Sequence, residues 1–196
     1  MKKSWIIIIV IVLVGFLTYS WIKGTYNSMV TLTESVDKQW ADVENVYQRR
    51  ADLIPNLVAT VKGYASHEKE TLEGVINARA KATNTTIDAG NLTADKIAAF
   101  QQAQDGLGSA LSKLMVVVER YPDLKANQNF LELQAQLEGT ENRITIERRK
   151  FNEAAQKYNT FIKLFPKNML ANMFGFEPKP YFESISGAET APVVDF

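Results

Sequence analysis

The sequence predicts an all-α protein, an N-terminal transmembrane helix followed by an antiparallel bundle of long helices. Three observations lead there. Nineteen residues between Lys3 and Lys23 carry no charge. Beyond them, apolar residues recur at three- and four-residue steps over three long segments, the period of an amphipathic helix. No segment shows the two-residue alternation of a half-buried strand.

The uncharged run is SWIIIIVIVLVGFLTYSWI, Ser4 to Ile22. At roughly 1.5 Å per residue it spans about 28 Å, close to the hydrocarbon thickness of a bilayer. Trp5 at one end and Tyr19 with Trp21 at the other suit the two interfaces, and Ile9, Leu13 and Leu17 fill the interior. A cleaved signal peptide has a shorter apolar core ending in small residues, whereas this run ends in Tyr-Ser-Trp-Ile. Residues 1–23 are therefore read as an uncleaved, single-pass anchor. Lys2 and Lys3 on a very short tail favour a cytoplasmic N-terminus, which places the domain outside the cytoplasmic (inner) membrane.

The remainder, residues 24–175, reads as one helical domain. A first helix over about 24–82 carries Met29, Leu32, Val36, Trp40, Val43, Tyr47, Ile54, Leu57, Val61, Tyr64, Leu72 and Val75 on one face. Its single Pro55, in DLIPNL, lacks the glycine or polar cluster of a hairpin and predicts a kink rather than a reversal. TNTTIDAGNL, residues 83–92, is the first connection. A second helix over 94–120 ends before Pro122, and a third over 127–165 ends before Pro166. The third presents Phe130, Leu133, Leu137, Thr140, Ile144, Glu147, Phe151, Ala154, Tyr158, Phe161 and Phe165 in heptad steps. A short helix over 168–174 closes on Gly175. Residues 176–196, with three prolines, Tyr181, Phe182 and Phe196, read as an extended tail pressed on the bundle.

Lengths add a geometric expectation. A first helix of about 85 Å outruns a second of about 40 Å and a third of about 58 Å. The stripe Met29, Leu32, Val36, Trp40 and Val43 then has no helical partner and is a candidate interaction surface. Such a stripe does not stay wet, so the C-terminal tail, a second copy of the chain or another membrane protein must cover it. In the same stacking Arg50 falls level with Asp123, and Glu147 with Tyr64. These polar residues interrupt apolar faces and are read as paired groups that set helix register.

The chemistry is sparse. Without Lys2, Lys3 and Lys23, the 22 basic groups fall to 19 against 22 acidic ones, which gives no footprint for nucleic acid. With no cysteine there is no disulfide, thiol nucleophile or thiolate metal site. His67 is the only histidine, and Thr71 stands where a helical zinc-protease site needs the second one. Ser66 and Lys69 have the spacing of a β-lactamase nucleophile pair without its companion motifs. No catalytic residue, cofactor, metal ligand or small-molecule substrate is therefore expected.

Long segments carry a resemblance. They are YNSMVTL, WADVENVYQRRADLIPNLVATVKGYASHEKETL with INARA, then ERYPDLKANQNFLELQAQLEGTENRITIERRKFNEAAQKYNTFIKLFPKNMLANMFGF, and the closing VDF. The chain resembles the bacterial LemA family over nearly its whole length. The resemblance implies one N-terminal transmembrane helix, a four-helix-type bundle and no established enzymatic activity. Members tend to sit beside membrane proteins of quality control or of the TPM-domain class, which implies a scaffold or adaptor of the envelope. The alternatives are an accessory subunit of a membrane protease or hydrolase system, or a homo-oligomeric structural protein.

Overall fold

The computed structural model describes residues 3–183. Among these the chain forms six α-helices and one short 3-10 turn, with no strand. Helix α1 (Lys3–Tyr64) runs unbroken from the apolar segment into the bundle, and α2 (Lys69–Asn84) follows after a four-residue turn. The 3-10 turn Ala89–Asn91 lies in the connection to α3 (Ala94–Val118). A single turn, α4 (Pro122–Lys125), leads to α5 (Gln128–Lys163) and then α6 (Lys167–Phe174).

The first long helix expected over 24–82 is in fact a hairpin. The chain continues through Pro55 as helix and reverses at Ala65–Glu68. Ala65, almost fully buried, is the pivot, while Ser66 and His67 face solvent. The reversal is pinned by two bonds from side chain to backbone across the hairpin. Arg79 Nε donates to the Ala51 carbonyl at 2.7 Å, and Trp40 Nε1 donates to the Ile87 carbonyl at 3.2 Å.

The Arg79 bond has a specific cause. Proline lacks the N–H that would close the helical bond to the residue four positions back, so Pro55 leaves the Ala51 carbonyl without its donor inside a buried seam. Arg79 supplies one. An unpaired buried carbonyl is costly, so Arg79→Ala should destabilise the bundle by about 1–2 kcal/mol in chemical denaturation. With Pro55→Ala restoring the backbone donor, the same substitution should lose most of its effect. Equal losses in both backgrounds would show that Arg79 does not serve this carbonyl.

The other helix ends follow their local chemistry. Thr93 accepts the Lys96 amide at the start of α3, and Asn127 accepts the Phe130 amide at 3.0 Å at the start of α5. Pro122 begins α4 with the fixed φ of a first helical position. Gly175 adopts φ 74°, the left-handed conformation that ends α6.

Helix α3 rises beside α2, and α5 descends beside α1, which it contacts most extensively. At the top, Asn127 donates to the Tyr64 hydroxyl, and Tyr121 donates to Glu68. That bond, followed by desolvation, pushes the Tyr121 phenol upward. The core has two parts. One contains Ile54, Leu57, Val61, Leu114 and Phe130, and the other, nearer the apolar segment, contains Met29, Val36, Trp40, Phe151 and Tyr158.

Within the apolar segment Trp5, Ile9, Leu13, Leu17 and Trp21 are all exposed. This stretch of α1 is long and apolar enough to cross a membrane, and none of it is buried by the rest of the chain.

Candidate functional site

Two arrangements stand out, a polar layer across the bundle and a cap over the membrane-proximal half of α1. In the polar layer, the Arg50 guanidinium is buried. Its Nη1 donates to Glu141 at 2.9 Å, and its Nη2 to the side chain and backbone oxygens of Gln104 at 2.8 and 3.2 Å. The guanidinium also lies 5.1 Å from the centre of the Tyr47 ring. Burial pushes the Tyr47 phenol up, against the pull of Arg148 and Arg50. Gln104 Nε2 donates onward to the Ala82 carbonyl, and Thr140 bonds back to Gln136 in its own helix. The layer thus ties α1, α2, α3 and α5 together where the two cores meet. Polar groups that bridge helices in this way are the kind that fix helix register in coiled coils.

The expected pairings are corrected accordingly. Arg50 meets Glu141 and Gln104, whereas Asp123 sits exposed on α4. Glu147 pairs with Lys150 on its own helix at 2.9 Å, and Tyr64 accepts from Asn127. The stacking failed because it counted α1 and α2 as one helix. With the reversal at Ala65–Glu68, α5 starts beside Tyr64 and its residues fall into a different level.

The same correction removes the bare stripe. Met29, Val36, Trp40 and Val43 are all fully buried and Leu32 is partly buried, with the lower half of α5, α6 and the tail over them. They therefore form core rather than a free docking face. Trp40 is the centre of this region. Its ring stacks on Phe182 of the tail at 5.8 Å, and meets Phe100 of α3 and Phe151 of α5 edge-on at 5.3 and 5.7 Å. Four separate segments thus converge on one indole, counting the connection that supplies Ile87.

The tail is held through its backbone. Asn159 donates to the Lys179 carbonyl at 2.7 Å and accepts from the Lys179 amide at 2.8 Å. Asn152 does the same at Phe182, at 3.0 and 2.9 Å. A carboxamide presents one donor and one acceptor side by side, so each asparagine pairs with a residue's N–H and C=O as a neighbouring strand would. Lys179 adds an ion pair to Asp37 at 3.2 Å, and the Tyr158 hydroxyl donates to the Glu177 carbonyl at 3.0 Å. Burial pushes the Tyr158 phenol up, which keeps the proton on this donor. Residues 184–196, the rest of the expected tail with Pro192, VDF and Phe196, lie outside the described residues.

The sequence reading missed both asparagines. They stand seven residues apart on one face of α5, each beside an aromatic core residue, which is a legible sign of a clip for an extended chain.

Glu44, half-buried beneath the 85–93 connection, has its pKa raised by desolvation, against hydrogen bonds from the Trp40 side chain and the Ile87 backbone, with a smaller upward push from Asp88. A carboxyl that binds its proton more tightly when folded supports the fold below the ordinary carboxylate pKa. It loses that support as pH rises through the raised value. Glu44→Gln should therefore raise the melting temperature at neutral pH, with the difference shrinking as the pH falls through the raised value towards the ordinary carboxylate pKa. A pH-independent difference would contradict this placement.

Among the described residues no group of three or more His, Cys, Asp or Glu side chains could hold a metal ion. His67 lies exposed in the hairpin turn.

Comparison with known proteins gives consistent results. Over 94% of its length the chain is 30% identical to magnetosome protein MamQ of Magnetospirillum gryphiswaldense, covering 73% of that protein. It is 29% identical to magnetosome protein MamQ 2 of Paramagnetospirillum magneticum over 86% of the chain and 68% of the relative. It is 22% identical to Protein LemA of Metamycoplasma hominis over 87% of the chain and 74% of the relative. The LemA family model matches residues 39–196, which takes in Trp40, the hairpin turn, the Arg50 layer and both asparagine clips. The protein belongs to the LemA family.

Proposed function

We propose that the protein is a single-pass scaffold or adaptor of the bacterial envelope, without catalytic activity, anchored in the cytoplasmic membrane. Its N-terminus is cytoplasmic and its bundle lies outside. The observation that carries this reading is the continuity of α1, which rises from the apolar segment into the bundle with no break or linker. A helix of 62 residues is about 93 Å long and fixes the bundle's height and direction relative to its anchor. Such a device suits positioning of a partner better than turnover of a substrate. Similarity to MamQ and to Protein LemA adds no reaction.

Because the membrane-proximal stripe is buried by the chain itself, a partner must dock on faces that remain exposed, such as those bearing Ile76, Val116, Leu131 and Ile146. Photo-crosslinking residues placed singly at these positions in living cells test the reading. The adaptor reading expects one defined adduct from neighbouring positions of one face and none from Trp40. Adducts of the protein with itself would favour the homo-oligomer, and no adduct from any face would contradict the adaptor. Membrane-impermeant maleimide should label Val116→Cys in intact cells if the bundle lies outside. Protection until the cells are lysed would reverse the orientation.

A further inference from the structure

We infer that the corner between α5 and α6, together with α6, lies in the lipid headgroup layer as a second point of membrane attachment. This rests on the reading of residues 4–22 as a bilayer span.

The level of the corner follows from the register of α5 on α1. Tyr64 pairs with Asn127 and Arg50 with Glu141, so fourteen residues down α1 match fourteen along α5. Extended at the same pace, this register brings Phe165 level with Tyr26. The rings agree, since Tyr26 meets Phe174 of α6 edge-on at 5.0 Å. Tyr26 is four residues beyond Ile22, about 6 Å along the helix. A headgroup layer is about 5–8 Å thick, so Tyr26 and everything level with it fall inside it.

The exposed chemistry at that level is apolar. Phe165 was expected on the packed face of the third helix, yet it is 80% exposed. Beyond Phe151 the buried face slips by one position, to Ala155 and Ile162, and leaves Phe165 outside it. Met169 and Met173, one helical turn apart on α6, are 63% and 65% exposed, while Leu170 and Ala171 anchor the helix to the bundle. From Leu164 to Gly175 there is no acidic residue, and Lys163 and Lys167 stand on either side of Phe165, the Lys167 ammonium 3.8 Å from the centre of the Phe161 ring. An amphipathic helix with an outward apolar face and basic flanks is the chemistry that enters a headgroup–acyl boundary, most favourably an anionic one. The occupant is therefore the bilayer that already holds α1, rather than a protein.

The test uses the full chain, which has no cysteine of its own. Leu13→Cys, Met169→Cys, Met173→Cys and Val116→Cys are nitroxide-labelled singly and reconstituted into vesicles of phosphatidylethanolamine with phosphatidylglycerol. Collision of the label with oxygen, which concentrates in lipid, is compared with collision with a water-soluble nickel chelate. At Met169 and Met173 the oxygen-to-nickel ratio should be several-fold above that at Val116 and on the side of Leu13. Met169 and Met173 values equal to that of Val116 would overturn the inference while Leu13 still reports lipid. Exclusion of both reagents would overturn it in favour of contact with a second protein molecule. An aqueous Leu13 would overturn the anchor reading and this inference together.

Discussion

Trp40→Ala lowers the unfolding free energy of the bundle by about 3–5 kcal/mol, the range for removing a buried large aromatic from a packed core. The indole is fully buried, and the three rings around it come from α3, α5 and the tail. Truncation therefore opens a cavity at the meeting point of α1, α3, α5 and the tail. Trp40→Phe keeps most of the apolar contact but leaves the Ile87 carbonyl without its donor, and should cost about 1–2 kcal/mol. Trp21→Ala, in the exposed apolar segment, should leave bundle stability unchanged. Denaturant titration followed by circular dichroism checks all three. Equal effects of the Trp40 and Trp21 substitutions would place Trp40 outside the core.

The second large effect is expected at Asn159, which is nearly as buried as Trp40. Asn159→Asp preserves shape but exchanges the amide donor for an oxygen facing the Lys179 carbonyl, now 2.7 Å from that donor. A lost hydrogen bond becomes a repulsion, and a charge enters a buried site built around a neutral carboxamide. The loss should be about 2–3 kcal/mol. It should be accompanied by protease access to the tail near Lys179 before the bundle itself is cut. Asn159→Asp with wild-type stability and a protected tail would mean that the clip does not hold.

Most of the bundle was legible because its helices are punctuated. Pro122, Pro166 and Gly175 mark ends that any reading of the sequence finds, and the apolar steps of α3 and α5 point to the faces they bury. The hairpin turn was not legible for a physical reason. Ala65–Glu68 contains no proline or glycine and reverses around a small residue whose role is to be buried, while Pro55 nearby is the obvious breaker and breaks nothing. One unread turn then misplaced every cross-helix pair that depended on it. Arg50 was matched to Asp123 instead of Glu141 because the levels of α5 had shifted.

The stripe from Met29 to Val43 shows the same limit from another side. That so apolar a stripe must be covered follows from solvation alone. What covers it depends on register, and register needed the turn. The asparagine clips are a different case, because their signal was local. Two poor helix formers sit seven residues apart in α5, each next to an aromatic, and the tail that they hold is extended chain carrying its own prolines.

The membrane-proximal half of α1 is closed by the protein's own C-terminal leg. Val36→Cys tests this directly, since Val36 lies within the stripe and is fully buried. The rate of maleimide labelling is measured on the detergent-extracted full chain, with light scattering confirming a monomer, beside the exposed Val116→Cys. Labelling at Val36 in the monomer should be slower by orders of magnitude and should accelerate only under conditions that unfold the bundle. Labelling of monomeric Val36→Cys as fast as Val116→Cys, or protection that appears only as the protein associates, would contradict closure within the chain.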